Sequence, residues 1–188
     1  MLSVLDIFRI GIGPSSSHTV GPIRIGARFL AELEQAGALE ETMRIDTELQ
    51  GSLALTGVGH GTPKAVILGL LGLDPETLDP EDADRRVAAL MESKKLALPG
   101  GRVIRFDPES DIRFAYDVMP KLHPNGIRLR AYGGAGEVLA DSTWYSTGGG
   151  FIASHRQLER PAPSDIVATG TNARFPFYSA AELLAICE

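Results

Sequence analysis

Residues 127 to 145 read IRLRAYGGAGEVLADSTWY: Ile127, Leu129 and Ala131 alternate with Arg128, Arg130 and Tyr132, and Gly133-Gly134-Ala135-Gly136 then breaks the run before Val138. Period-two alternation puts one set of side chains on each face of a strand, and a glycine-rich break between two such runs predicts a hairpin of Ile127–Tyr132 with Val138–Tyr145. Working upstream, Arg102–Phe106 and Ile112–Val118 carry the same period, which gives the second half of the chain four strands. The first half reads differently. Gly21-Pro22 followed by Ile23, Ala27, Leu30 and Leu33 predicts a helix with proline at its start and Gly37 as its stop. Thr62 is expected to cap a second helix that begins at Pro63 and ends at Gly69 or Gly72. Asp79-Pro80 opens a third, with Glu81 and Asp82 in its first turn and Lys94-Lys95 in its last, the polarity that the helix dipole favours. Between the first two helices, Arg44–Leu55 has Ile45, Thr47 and Leu49 at period two and is expected as one more strand. Helices early and strands late imply an α+β fold, an antiparallel or mixed β-sheet with helices packed on one face.

With 188 residues, the length suits one domain and a short extension. The composition, 44% hydrophobic and 22% charged with 21 Gly and 12 Pro, is that of a globular, loop-rich chain. A formal charge of −6, with no basic run longer than Arg85-Arg86 or Lys94-Lys95, argues against nucleic acid as a partner. The apolar start, Met1–Ile12, is broken by Asp6 and Arg9, and no run approaches the roughly 18 apolar residues that a membrane span needs, so a cytoplasmic protein is expected. Cys187 is the single cysteine. One thiol makes no internal disulfide and cannot hold an iron–sulfur cluster, which takes about four ligands. Glu159–Thr171, rich in Pro, Ser and Thr, reads as a linker, after which Ser179-Ala180-Ala181-Glu182 opens a helix with a capping-box pattern. A helix so well begun and so soon ended suggests that the sequence is part of a longer protein.

The histidines are the strongest pointer to chemistry. His18, His60 and His123 sit in Gly13-Pro14-Ser15-Ser16-Ser17-His18-Thr19, Gly59-His60-Gly61-Thr62 and His123-Pro124-Asn125-Gly126. Imidazole titrates near neutral pH and shuttles protons, and placing it among hydroxyls and free N–H groups suits a site. The serine string before a helix N-terminus suits an anion such as a carboxylate, or else serves only as an elaborate cap. The other two motifs suit proton transfer, or are turns with surface histidines. Ser146-Thr147-Gly148-Gly149-Gly150-Phe151 is expected as a flexible loop that wraps an anion or covers a site, or as a bend, and His155 as a surface residue. A hydrolase triad is disfavoured because no Gly-x-Ser-x-Gly elbow exists. A zinc site of His60, His123 and a carboxylate lacks the usual short ligand spacings and remains a weak rival.

The string Phe8-Arg9-Ile10-Gly11-Ile12-Gly13-Pro14-Ser15-Ser16-Ser17-His18-Thr19-Val20-Gly21-Pro22 closely resembles the N-terminus of bacterial iron–sulfur L-serine dehydratases (L-serine ammonia-lyases). The resemblance continues through Gly51–Gly57, Gly59–Thr62, His123–Gly126, Tyr145–Phe151 and Pro176–Leu184, nearly the whole chain. It implies removal of the Cα proton of L-serine while an iron of a [4Fe-4S] cluster acts as Lewis acid on the hydroxyl, giving pyruvate and ammonia. It implies acid/base or positioning roles for His60 and His123, with Thr62 and Asn125 beside them. By the same resemblance Ser15, Ser16 and Ser17 grip the substrate's carboxylate or amine, and Ser146 lines the pocket. The cluster cysteines of the family are absent, and Cys187 falls in its linker helix. The implied division is a β domain over residues 1–154, then a linker and the start of a helix over 155–188 leading to a cluster-bearing α domain. Alone, this piece is expected to be inactive. Such domains are also similar to the allosteric substrate-binding domain of some phosphoglycerate dehydrogenases, which implies an alternative role as a regulatory L-serine or anion-binding module and a homodimer.

Overall fold

A computed structural model describes residues 11–161 and 179–187. A π-helical turn, Ser16–Val20, runs straight into α1, Gly21–Gln35, which Gly37 ends at φ +68°. Next come β1 (Arg44–Gly51), α2 (Ser52–His60), α3 (Thr62–Leu70) and α4 (Pro80–Ser93). The second half holds β2 (Lys95–Ala97), β3 (Val103–Arg105), the single turn α5 (Pro108–Asp111), β4 (Ile112–Ala115), β5 (Asn125–Tyr132), β6 (Val138–Gly148) and β7 (Phe151–Ser154). Two short helices follow, α6 (His155–Glu159) and α7 (Ala180–Cys187).

The main sheet has the order β4-β1-β5-β6-β7. β1 pairs with β4 in parallel and all other neighbours are antiparallel, so the sheet is mixed and the α+β reading holds. The expected hairpin is present, with Ile127 opposite Trp144 and Ala131 opposite Ala140. Alternation decides the faces. Ile45, Leu49, Ile127, Leu129 and Trp144 point inward and share one core with Ile25, Phe29 and Leu33 of α1 and Val66, Ile67 and Leu70 of α3. Across the sheet, Asp46, Glu48, Arg128, Arg130 and Asp141 form ion pairs: Arg128 to Asp141 through both nitrogen–oxygen contacts, Arg130 to Asp46, and Arg113 to Glu48. Helices α1 and α3 approach closely because Gly26 meets Gly69, where a Cβ on Gly69 would lie 2.3 Å from the Ile23 carbonyl.

Five expectations need correction. The strand from Arg44 stops at Gly51 rather than Leu55, because Gly51 turns at φ +58°, ψ −127° and Ser52 begins a helix. That helix was hidden by Gly57 and Gly59, whose low helix propensity is overcome by burial of Leu53, Ala54 and Gly57, and Gly61 ends it at φ +72°. Thr62 does not cap α3: Gly61 occupies the cap at φ +72°, and the Thr62 hydroxyl donates elsewhere. The strand expected at Arg102–Phe106 shrinks to β3 and pairs with β2 in a separate two-stranded sheet; β2 takes Lys95 out of the expected last helical turn, which Lys94 ends at φ +53°. The strand expected at Ile112–Val118 ends at Ala115. Finally, Ser146–Phe151 is mostly strand. β6 continues to Gly148 and turns through Gly149 and Gly150, both at positive φ, into β7, so the bend reading prevails. The capping pattern at Ser179 is present, its hydroxyl accepting from Glu182 N–H at 3.2 Å. The apolar start before Gly11, the linker beyond Pro161 and Pro176–Tyr178 lie outside the described residues.

Candidate active site

The site is built at one end of the sheet. Gly51, the last residue of β1, pairs with Asn125, the first of β5, and Gly126 pairs with Tyr145 near the end of β6. Helix α2 starts where β1 stops, and its first N–H, on Ser52, donates to the Pro124 carbonyl at 2.8 Å. Gly51 is required there: a Cβ would fall 2.2 Å from that same carbonyl. The sheet edge thereby joins the His123 motif to the helix that ends in His60.

The serine string is not a loop with open hydroxyls. Its π-helical turn buries His18, Thr19 and Val20 against the fold. Ser15 Oγ lies 3.3 Å from Ser17 Oγ, Ser17 Oγ 3.0 Å from His18 Nδ1, and His18 Nε2 2.9 Å from Thr56 Oγ1. The Thr56 hydroxyl donates to the Ser52 carbonyl at 2.8 Å. A carbonyl only accepts and a hydroxyl has one proton, so the direction of the chain follows: His18 carries its proton on Nε2, and Ser17 donates to the bare Nδ1. Thr62 reaches back to donate to the His18 carbonyl at 2.9 Å, which explains its burial. Ser16 is exposed and stands apart from this chain.

His60 closes α2. Its ring lies 4.6 Å from that of His18, centroid to centroid, tilted by 38°. His60 Nδ1 is 3.0 Å from the Thr56 carbonyl, so Nδ1 holds the hydrogen and the neutral ring keeps a bare Nε2. This ring lines a cleft of about 260 Å³ whose walls include Pro14, Thr19, Ile23, Lys64 and Leu68. Burial, then the neighbouring His60 charge, push the His18 pKa below the usual imidazole range, with the Ser52 carbonyl opposing them. The neutral form of His18 is favoured accordingly.

His123 has the opposite pattern. Its Nδ1 accepts from the Asn125 N–H at 3.2 Å, so the neutral ring presents Nε2–H, and burial lowers its pKa. Asn125 Nδ2 donates to the Ser146 carbonyl at 3.1 Å. The Ser146 side chain is fully buried against Gly21, and its Oγ has no hydrogen-bond partner among the described residues. His155, expected on the surface, is exposed, and its Nδ1 meets Tyr145 Oη at 2.9 Å.

Of the residues expected from sequence, Ser15, Ser16, Ser17, His60, Thr62, His123, Asn125 and Ser146, the fold links Ser15, Ser17, Thr62 and His60 to His18, and links Asn125 to both His123 and Ser146; the two groups meet where the Ser52 N–H donates to the Pro124 carbonyl, and Ser16 stands apart. Sequence reasoning missed Thr56, which holds both His18 and His60. Thr56 lies in the Gly51–Gly57 stretch that carries the resemblance, and its four-residue spacing to His60 on a helix was the signal that pointed to its role. Among the described residues no group of three or more His, Cys, Asp and Glu is placed to hold a metal, and Cys187 is exposed on α7. These residues do not fit a four-iron cluster.

The model of one family, the serine dehydratase beta chain, matches residues 3–157. This chain belongs to that family. Across its whole length it is 40% identical to L-serine dehydratase 1 of Escherichia coli K12 and 41% identical to an L-serine dehydratase of Mycobacterium tuberculosis. An L-serine dehydratase of Streptomyces coelicolor is 41% identical over 98% of the chain. The chain spans about two fifths of the length of these curated relatives, 40%, 39% and 40% in turn. Among the described residues, no helix of this beta-chain member is long and apolar enough to cross a membrane.

Proposed function

We propose that this chain is the β portion of an L-serine ammonia-lyase and supplies the proton-handling and substrate-orienting wall of its active site. The observation that supports the reading is the opposed state of two imidazoles on segments joined where the Ser52 N–H, at the start of the helix that ends in His60, donates to the Pro124 carbonyl beside His123. His60 offers a bare Nε2 beside a cleft, and His123 offers an Nε2–H. Loss of water from serine needs both halves: a base for the weakly acidic Cα proton and a donor for the departing oxygen or the carboxylate. His60 is the base in this reading. His123 and the Asn125 amide orient the substrate, and Ser15 and Ser17 act through His18. The walls beside His60, with Ile23 and Leu68 among them, limit water around the transferred proton.

The [4Fe-4S] cluster belongs, on this proposal, to the part of the relatives that the chain does not span, and that part is the α-domain partner; residues 1–154 form the β domain and 155–188 lead away from it. The alternative regulatory reading has one feature in its favour, a second cleft of about 520 Å³ on the outer sheet face that includes Lys121, Arg128 and His155. The test is pyruvate release from L-serine by the full-length dehydratase, reconstituted anaerobically with iron and sulfide. His60→Ala and His123→Ala are each expected to lower turnover by about 100-fold or more. Wild-type turnover in both variants would end the reading. Calorimetry of this chain with L-serine separates the alternatives: binding without the cluster-bearing part favours regulation.

A further inference from the structure

Thr56 touches both imidazoles of the cleft, by different atoms. Its hydroxyl takes the His18 Nε2–H at 2.9 Å, and its carbonyl takes the His60 Nδ1–H at 3.0 Å. The two rings then lie 4.6 Å apart, tilted by 38°. Both residues are held from further directions as well: Ser17 fills the other nitrogen of His18, Thr62 fixes the His18 carbonyl, and the hydroxyl of Thr56 is spent on Ser52. His18 is 8% exposed, too enclosed to meet a substrate freely, so its arrangement calls for a role exerted through its neighbour.

We propose that His18 and Thr56 are positioning residues that hold His60 as the Nδ1–H tautomer, with its ring angle set by the tilted contact with the His18 ring and Nε2 left free for proton transfer. This rests on His60 being the proton acceptor of the proposed reaction. The physical logic is that a base acts only from the correct tautomer and angle, and a half-exposed ring at a helix end is otherwise free to flip or exchange. The carbonyl of Thr56 selects the tautomer only while the His60 ring is held against it, which is the part that the Thr56 hydroxyl and His18 supply. His18 removes the rotational freedom, and Ser17, itself within hydrogen-bond reach of Ser15, fixes the His18 ring through Nδ1.

Long-range proton–nitrogen NMR on the ¹⁵N-histidine-labelled chain reads the tautomers without any turnover. The expected spectrum has His60 as a single Nδ1–H species and His18 as Nε2–H. Thr56→Val, which keeps the carbonyl and shape but removes the acceptor for His18, and His18→Ala are each expected to turn His60 into a tautomer mixture. Thr56→Ser is expected to restore the single species. In the reconstituted full-length dehydratase, Thr56→Val and His18→Ala should lower kcat by about tenfold or more with KM changed far less, and Thr56→Ser should keep kcat. A His60 ring found as Nε2–H in the wild type, or unchanged in both variants with folded far-ultraviolet spectra, overturns the proposal. Altered tautomers together with a wild-type enzyme that releases no pyruvate would instead reject the proposed function and leave the positioning intact.

Discussion

The amide of Asn125 and the carbonyl of Ser146, 21 residues apart in sequence, are joined by a 3.1 Å hydrogen bond that ties the start of β5 to the end of β6. Asn125→Asp replaces the donor with a carboxylate facing a carbonyl oxygen. The expected loss is about 1–3 kcal/mol of folding stability, with Asn125→Ala losing about 1 kcal/mol, as read by urea unfolding. Midpoints unchanged from the unaltered protein in both variants would show that the bond does not hold the strand ends.

Gly21 leaves no room for a side chain, since a Cβ there would sit 1.9 Å from Ser146 Oγ. Gly21→Ala should cost about 1–3 kcal/mol from overpacking, part of it recovered by adding Ser146→Gly. Ser146→Ala alone removes a buried hydroxyl with no partner among the described residues, so its thermal midpoint should stay level or rise.

Acid should unfold this protein earlier than its carboxylates alone require. Burial holds the His18 and His123 pKa values below the ordinary imidazole value of about 6.5. As the pH falls below that value the unfolded chain takes up protons that the folded chain refuses, so stability is intact above it and declines as the pH drops through the lowered folded values. The depressed carboxyls Asp82, Asp107 and Asp141 contribute only in a lower window, near and below their ordinary value. Urea midpoints between pH 7.5 and 5 should therefore fall, and His18→Gln with His123→Gln should flatten the slope. His60→Ala should raise the His18 pKa, because it removes both a like charge and part of the burial; an NMR titration of His18 that does not move contradicts the coupling.

The crossing of α1 and α3 depends on Gly69. Gly69→Ala directs a methyl at backbone, 2.3 Å from the Ile23 carbonyl and 3.0 Å from Gly26 Cα, where no side chain can swing aside. A loss of at least about 1–3 kcal/mol is expected, more than for the same change at exposed Gly59, where nothing lies within 4 Å. Equal thermal midpoints would refute the close crossing.

Sequence by itself determined the parts of this protein governed by near neighbours. The 127–145 hairpin, the proline-led starts of α1 and α4, the stop at Gly37 and the α+β class all follow from spacing that repeats within a few residues. The three histidine motifs were legible for the same reason, being short strings of unusual composition. Only the tertiary structure decided that Ser52–His60 is a helix, because burial of Leu53 and Ala54 outweighs two unfavourable glycines, Gly57 and Gly59. It also decided that Thr62 braces His18 instead of capping a helix, and that β4 lies parallel to β1. The His18–Thr56–His60 arrangement is of this second kind. Thr56 and His18 stand 38 positions apart, and a hydrogen bond across that separation depends on where packing places two backbones, which local periodicity does not encode.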